Sequence, residues 1–474
     1  MRHALLAAAM VAATLPAVAD DGAALKAQIV KTYPSLVYVD RYRQAFPDEV
    51  LGQTPFWHGA APKITDARSL TAALLPLADQ HVALVGPKAG KSETLGVLFR
   101  TSSDGSMIAW RVFDPAARVH EGDEVTTIDH TPVREWLKRA GEMTFGGNRR
   151  GRMAEAATEL GLATPVVHRL AGLGTSVTLD TGGHDVTLPY LPMTPERAGA
   201  MAAAIDRADL PETFTVARRR VGTIRMGAFA PQYDPIFETA SDAAAKIPGA
   251  TDDQAMLAGY CAVVHGFIAK FDRLAAKSDV VLFDIRGNLG GFDREARLLA
   301  DAVALTPATF DLFKGAKPGT VRLAEEKRDP SCGHVKLHRP LLVLDDAATR
   351  SGGEFFASWL WAAGATVVGE RTVGAGGGFE FDAKGFTLPA SGFGVRASGN
   401  FTLFDPKGAL HDGDWPEAAL IDTIAADGFA PSRVRPVAIQ SAGLRPDIRL
   451  NTTRADLNDK GIGEITRALE TMRP

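Results

Sequence analysis

The sequence predicts an α/β protein: a parallel-sheet core, preceded by a helical segment and carrying a separate unit of short alternating strands. Three observations predict it. Apolar runs beginning at Val280 and Leu341 each end in a polar turn with glycines, and continuous apolar runs mark strands buried on both faces. After the second run, Phe355, Phe356, Trp359 and Leu360 recur at helical spacing and a new apolar run starts at Ala365. Between 94 and 192 the pattern changes to alternation, with a hairpin turn at Gly182-Gly183.

The 474 residues suffice for several domains. Hydrophobic residues make up 46% and the net charge is −4, so no nucleic-acid or anionic-membrane partner is indicated. The run Arg218-Arg219-Arg220 is short and reads as a solvated strand end. Residues 1–19 read as a secretory signal, with Arg2 and His3, an apolar stretch over 4–15 and a small-residue Ala17-Val18-Ala19 end. No later apolar run reaches spanning length. The expected location is therefore periplasmic or secreted, where Cys261 and Cys332 could pair.

In chain order, 20–86 reads as helical and aromatic, with an amphipathic helix over 67–77 leading to Asp79-Gln80-His81. A histidine just past a helix end is more often structural, since its charged form suits the helix C-terminus. The stretch 82–92 contains Gly86 and Gly90 before Lys91-Ser92, but three residues between the glycines do not fit a phosphate loop. Within 117–137 a glycine-aspartate turn, an alternating strand 124–128, a tight turn and Pro132-Val133 opening a helix resemble the core of a PDZ domain. That resemblance implies a groove binding extended peptide by strand addition. Residues 146–152, rich in glycine and arginine, read as a mobile insertion, and 193–215 as a helix-and-turn linker. A strand over 221–226, a long helical stretch ending near 276, a pair of strands over 386–408, a turn into a last strand at 443–450 and one amphipathic helix over 457–469 complete the chain.

Two turns carry chemistry. Asp284-Ile285-Arg286-Gly287-Asn288-Leu289-Gly290-Gly291 follows a central strand, where open α/β sheets place their sites. Its bland reading is a glycine-rich turn with an Asp284–Arg286 pair. Ser351-Gly352-Gly353-Glu354 opens the next helix and is also a capping box. With Gly369-Glu370, Thr372 and Gly374, and a late Gly443, Pro446 and Asp447, this order resembles the tail-specific, or C-terminal processing, serine peptidases. The resemblance implies a crotonase-like (ClpP-like) α/β core over 193–474, an N-terminal helical segment at 20–90, an inserted PDZ-like domain at 91–192, a polypeptide substrate and no cofactor or metal. It implies Ser351 as nucleophile. The glycine loop 372–378 has no lysine; Lys384 lies past it. The family's histidine branch, similar to tricorn protease, has an Asp-x-His stretch, matched by Asp79 and His81, so His81 is the implied base.

A serine hydroxyl needs such a base, and histidine can take and return the proton near neutral pH. The N–H of Gly352, with that of Gly290 or Gly291, could hold the oxyanion. The histidine's orienting residue is open: Gln80 precedes it, Gln440 stands where a glutamate is expected, and Glu417 is another candidate. Three rival readings follow. A weak or inactive family member would bind peptide or ligand, which Gln440 favours. An esterase of the common hydrolase fold needs GxSxG, and Thr349-Arg350-Ser351 lacks the first glycine. A zinc site could use Cys332, His334 and His338.

Overall fold

The computed structural model describes residues 20–52, 54–335, 339–378, 385–425 and 433–472. The signal, His338 and Lys384 lie outside the described residues. The central sheet has six strands in the order Thr213–Val216, Arg219–Arg225, Val280–Asp284, Leu341–Asp345, Thr366–Gly369 and Ile448–Arg449. The first pair is antiparallel and every later pair parallel. Both faces are covered, which is why these strands read as unbroken apolar runs. Val281, Phe283, Val343 and Val367 pack beneath the helices Asp252–Lys277, Asp293–Val303 and Gly352–Ala362. Val280, Leu282, Leu342, Leu344 and Val368 pack on the opposite side with Ile465, Ala468 and Leu469 of the last helix.

The register sets the site. Asp284 pairs with Leu344, and Asp345 with Gly369, so three parallel strands end side by side. The two turns of interest leave that edge together.

A second sheet, built from Gly377–Gly378, Asn400–Phe404, Thr309–Lys314, Thr320–Glu326 and Gly413–Pro416, receives the N-terminal helices Asp21–Thr32 and Leu36–Ala45. Tyr33, Tyr38 and Tyr42 are buried in that contact, the first two against Phe401. A third sheet runs Val97–Thr101, Met107–Val112, Glu124–Ile128, Ser176–Thr181 and Asp185–Pro189. It has its own core, whose buried residues all fall between Leu95 and Tyr190. The whole is a mixed α/β fold of several sheets.

Two expectations are corrected, and one rival reading loses a ligand. Residues 146–152 are a fixed junction: Gly147 and Asn148 are buried, and the Asn148 amide donates to Thr372 O (2.7 Å) and Val373 O (3.2 Å). Its Oδ1 caps the helix Arg149–Gly161 through the Gly151 N–H, 2.9 Å. The final helix is two helices, Arg454–Asn458 and Ile462–Thr471. The break falls where Arg286 passes: its Nη2 donates to Lys460 O at 2.9 Å, and a Cβ on Gly461 would stand 1.9 Å from Nη1. Cys332 forms a disulfide with Cys261, which removes its thiolate from any zinc triad.

Candidate active site

The strand Leu341–Asp345 delivers the chain into a turn organised by Asp346. Its Oδ1 accepts the N–H groups of Gly287 (2.8 Å), Ala348 (3.1 Å) and Thr349 (3.1 Å), which ties this turn to the 284–291 loop. Thr349 Oγ1 donates to Ile285 O (3.0 Å) and the Arg350 N–H to Asn288 O (3.1 Å). Held on both sides, Ser351 sits at φ 49°, ψ −125°, a conformation non-glycine residues avoid. Such backbone costs about 1–3 kcal/mol and persists only where the surroundings enforce it.

The glycines follow from the closeness of the two turns. A Cβ on Gly290 would stand 2.8 Å from Ser351 Cβ, and one on Gly353 2.6 Å from Asn288 Oδ1. Glu354, fully buried, fixes the helix start and the glycine loop at once. It accepts the N–H groups of Ser351 (3.1 Å), Gly374 (2.8 Å) and Ala375 (2.7 Å), and the Thr372 hydroxyl. Burial pushes its carboxyl up to about 7, against these bonds, which favour the ionised form.

His81 reaches the same point from the other end of the chain. The helix Ala67–Leu74 tightens into a single turn at Leu75–Leu77, and Ala78 takes a left-handed conformation, φ 49°. His81 Nε2 lies 3.2 Å from Ser351 Oγ across a sequence separation of 270. Asp79, wholly buried, accepts the His81 backbone N–H at 3.0 Å, and its Oδ1 lies 4.0 Å from His81 Nδ1. Asp79 is itself fixed by the Tyr33 hydroxyl (3.1 Å), the Ser398 hydroxyl (3.0 Å) and the Ser398 N–H (3.2 Å). Burial lowers the His81 pKa; Asp79 opposes this, while Arg396 and Arg350 reinforce it. In the neutral tautomer protonated at Nδ1, Nε2 would be an acceptor toward the Ser351 hydroxyl.

The candidate oxyanion donors separate. The Gly290 N–H donates to Asn288 Oδ1 at 2.7 Å and is spent there, which corrects its expected place in the site. Gly291 is exposed; its carbonyl-side neighbour Phe292 and the preceding Gly290 carbonyl make the bridge to Phe229, and its own N–H takes no part. A Cβ on Gly352 would lie 3.3 Å from the Gly291 nitrogen, so the two amides are neighbours at the helix N-terminus.

None of the hydrogen bonds among the described residues joins Gln440, Glu417 or Gln80 to His81. Gln440 is buried behind Tyr38, whose hydroxyl donates to its carbonyl. Glu417 accepts from Ser35 Oγ (2.8 Å), and Gln80 donates to Glu155 (3.3 Å). Asp79 is the carboxylate that stands beside the ring, 4.0 Å from Nδ1, and it bonds the His81 backbone N–H. Asp79 stands in the Asp-x-His stretch of the sequence, but its place beside the ring comes only with the fold.

Asp284 and Arg286 keep their bland reading. Arg286 Nε and Nη2 each donate to the Asp284 carboxylate at 2.8 Å, and Nη1 reaches Glu464 at 3.3 Å. Burial would raise the Asp284 pKa, but Arg286 and Arg225 hold it well below the carboxylate range. This pair anchors the C-terminal helices. A contact the sequence did not suggest is Arg350, whose Nη1 and Nη2 bond Glu155 Oε1 (3.0 Å) and Thr158 Oγ1 (2.9 Å) on the helix Arg149–Gly161.

His81, Ser351 and Gly291 line a cleft of about 800 Å³ whose walls come from all three parts of the chain. Phe229, Leu289, Met143 and Leu170 make it largely apolar. Such a cleft suits a peptide segment with apolar side chains.

Residues 258–382 match the model of peptidase family S41. The matched segment includes the 284–291 loop and Ser351; His81 and Gln440 lie outside it. Among curated proteins none matches the sequence. Among solved structures, mature CPAF complexed with lactacystin is 15% identical, with a TM-score of 0.59 over 95% of this chain and 97% of that one. A second structure of mature CPAF is 16% identical, with a TM-score of 0.53 over 96% of this chain and 94% of that one. At these identities the likeness is one of fold.

Proposed function

We propose that the protein is an exported serine-type peptidase. Ser351 is the nucleophile, His81 the general base and the N–H groups of Gly352 and Gly291 the oxyanion donors. The observation that carries this reading is the 3.2 Å approach of His81 Nε2 to Ser351 Oγ, at the edge of a cleft and across 270 residues. The S41 match over 258–382 supports the peptidase class. In the proposed reaction Ser351 Oγ attacks a peptide carbonyl and its proton passes to His81 Nε2. The imidazolium is stabilised by Asp79 while the two amides hold the oxyanion. Collapse returns the proton to the leaving amine, and water, deprotonated by His81, releases the acyl group.

On this reading 193–474 is the crotonase-like core and 91–192 a PDZ-like insertion. The self-contained core between Leu95 and Tyr190 supports the latter. The Cys261–Cys332 disulfide supports an oxidising location, periplasmic or secreted, with residues 1–19 as the signal.

A second reading, a peptide- or ligand-binding protein with weak or no catalysis, draws on Gln440 and on the 4.0 Å gap between His81 Nδ1 and Asp79. Treatment of the mature protein with a fluorophosphonate decides between them. Peptide mapping that finds the adduct on Ser351, absent in His81→Ala, supports the peptidase. An unlabelled protein that still binds peptide supports the second reading.

A further inference from the structure

A second cavity, of about 460 Å³, lies where Phe46 and Glu49 of the N-terminal segment meet Glu370 and Arg371 at the start of the glycine loop and the stretch 445–451. It shares no lining residue with the active-site cleft. Four arginines and two glutamates line it. Two of the arginines are neutralised within the wall. Arg150 grips both Glu370 oxygens, Nε at 3.1 Å and Nη2 at 2.9 Å. Arg371 reaches Glu49 at 3.5 Å and the Tyr42 hydroxyl at 3.2 Å.

Arg445 and Arg449 have no carboxylate partner among the described residues, which leaves an excess of two positive charges on a concave surface. The charges are also crowded. The guanidinium carbons of Arg371 and Arg445 lie 5.4 Å and 5.3 Å from the centroid of the same Phe46 ring. That ring accounts for one face of each guanidinium but compensates little of their charge. Burial, and then the neighbouring Arg371, lower the Arg445 pKa, against the opposing influence of Tyr42 and Glu49.

We propose that this cavity binds a small doubly charged oxyanion of the phosphate class, bridging Arg371 and Arg445 with Arg449 at its exposed mouth. Guanidinium groups match such oxygens in geometry as well as charge. The two stretches the anion would bridge are already joined beside the site, where the Leu444 N–H donates to Thr372 Oγ1 at 2.7 Å and the Thr372 hydroxyl donates to Glu354. Anion binding therefore braces the loop that Glu354 holds against the Ser351 helix.

The test is calorimetric titration and thermal melting of the full mature chain with inorganic phosphate, ionic strength being held constant with chloride. One site per chain and a saturable rise in Tm are expected. Arg445→Gln with Arg449→Gln should weaken binding at least tenfold, and Arg445→Lys should restore part of it. Phosphate also stabilises folded proteins by exclusion from their surface. A rise that does not saturate, or is equal in the double variant, would overturn the proposal, as would calorimetry without a site. If the double variant fails to fold, Arg449→Gln alone, at an exposed position, must still weaken binding. Glycerol phosphate in competition then separates a site for a phosphoryl group on a larger molecule, which it would displace, from one that admits only the free ion.

Discussion

On the proposed reading Ser351 and His81 form one catalytic unit, and their substitutions should behave as one. Ser351→Ala and His81→Ala are each expected to lower kcat/KM roughly a thousandfold or more, with little further loss in the double variant. Lys384→Ala should leave the rate nearly unchanged. Steady-state kinetics on an unfolded protein substrate checks all four; a mild His81→Ala with an inactive Lys384→Ala would move the base to the lysine. The pH profile follows from burial of the ring. Because the His81 pKa is lowered, the acid limb of kcat/KM should have its midpoint below 6.5. The sign for stability is the same: below 6.5 the unfolded chain takes up this proton first, so stability is lost as pH falls toward the folded pKa. His81 was legible from the Asp-x-His spacing together with the missing loop lysine. Asp79's place beside its ring was not, because sequence weighs a glutamine before a distant motif and an adjacent aspartate alike, while only folding shows which side chain arrives. Nor could any pattern show that Asn288 consumes the Gly290 N–H.

At the scale of elements, two glycines of nearly equal φ separate site from scaffold. Gly290 has φ +82° and Gly461 φ +87°, so alanine strains both backbones alike, but the new methyls meet different neighbours. Gly290→Ala, pressed on Ser351, should lower Tm and also lose fluorophosphonate labelling in the folded fraction. Gly461→Ala, pressed on Arg286, should lower Tm with labelling retained in the folded fraction. Glu354→Gln puts an amide donor against backbone N–H groups and should cost about 1–3 kcal/mol in a denaturant melt, as buried donors without acceptors do. The elements themselves were largely readable, since the strands at 280 and 341 are buried on both faces and leave an apolar run. The stretch 146–152 misled for a physical reason. Glycine and arginine there read as polar and flexible, yet the glycines admit close backbone contact, with a Cβ on Gly147 falling 2.0 Å from Ser441 O.

For the whole molecule, the covalent tie and the long-range pairing set what can be tested. Cys261 and Cys332 close a loop of 71 residues, and reduction or Cys332→Ser should remove up to about 4 kcal/mol, read as a lower Tm in reductant. The mature N-terminus should begin after Ala19 when mass is measured on exported protein; a chain starting at Met1 would count against export. Packing between distant parts was the least legible level. The aromatic N-terminal segment announced a buried face, but nothing announced that Phe401 would cover it. The pairing of His81 with Ser351 has a temporal consequence. A chain emerging from its N-terminus presents His81 early and Ser351 late, and the loop beside Ser351, held by Glu354, gains its further tie to Thr372 only when Leu444 arrives. A nascent or partly translocated fragment that ends before Ser351 therefore cannot hold the pair. If the chain is exported and acts as proposed, it would stay harmless to its export machinery until much of it is across.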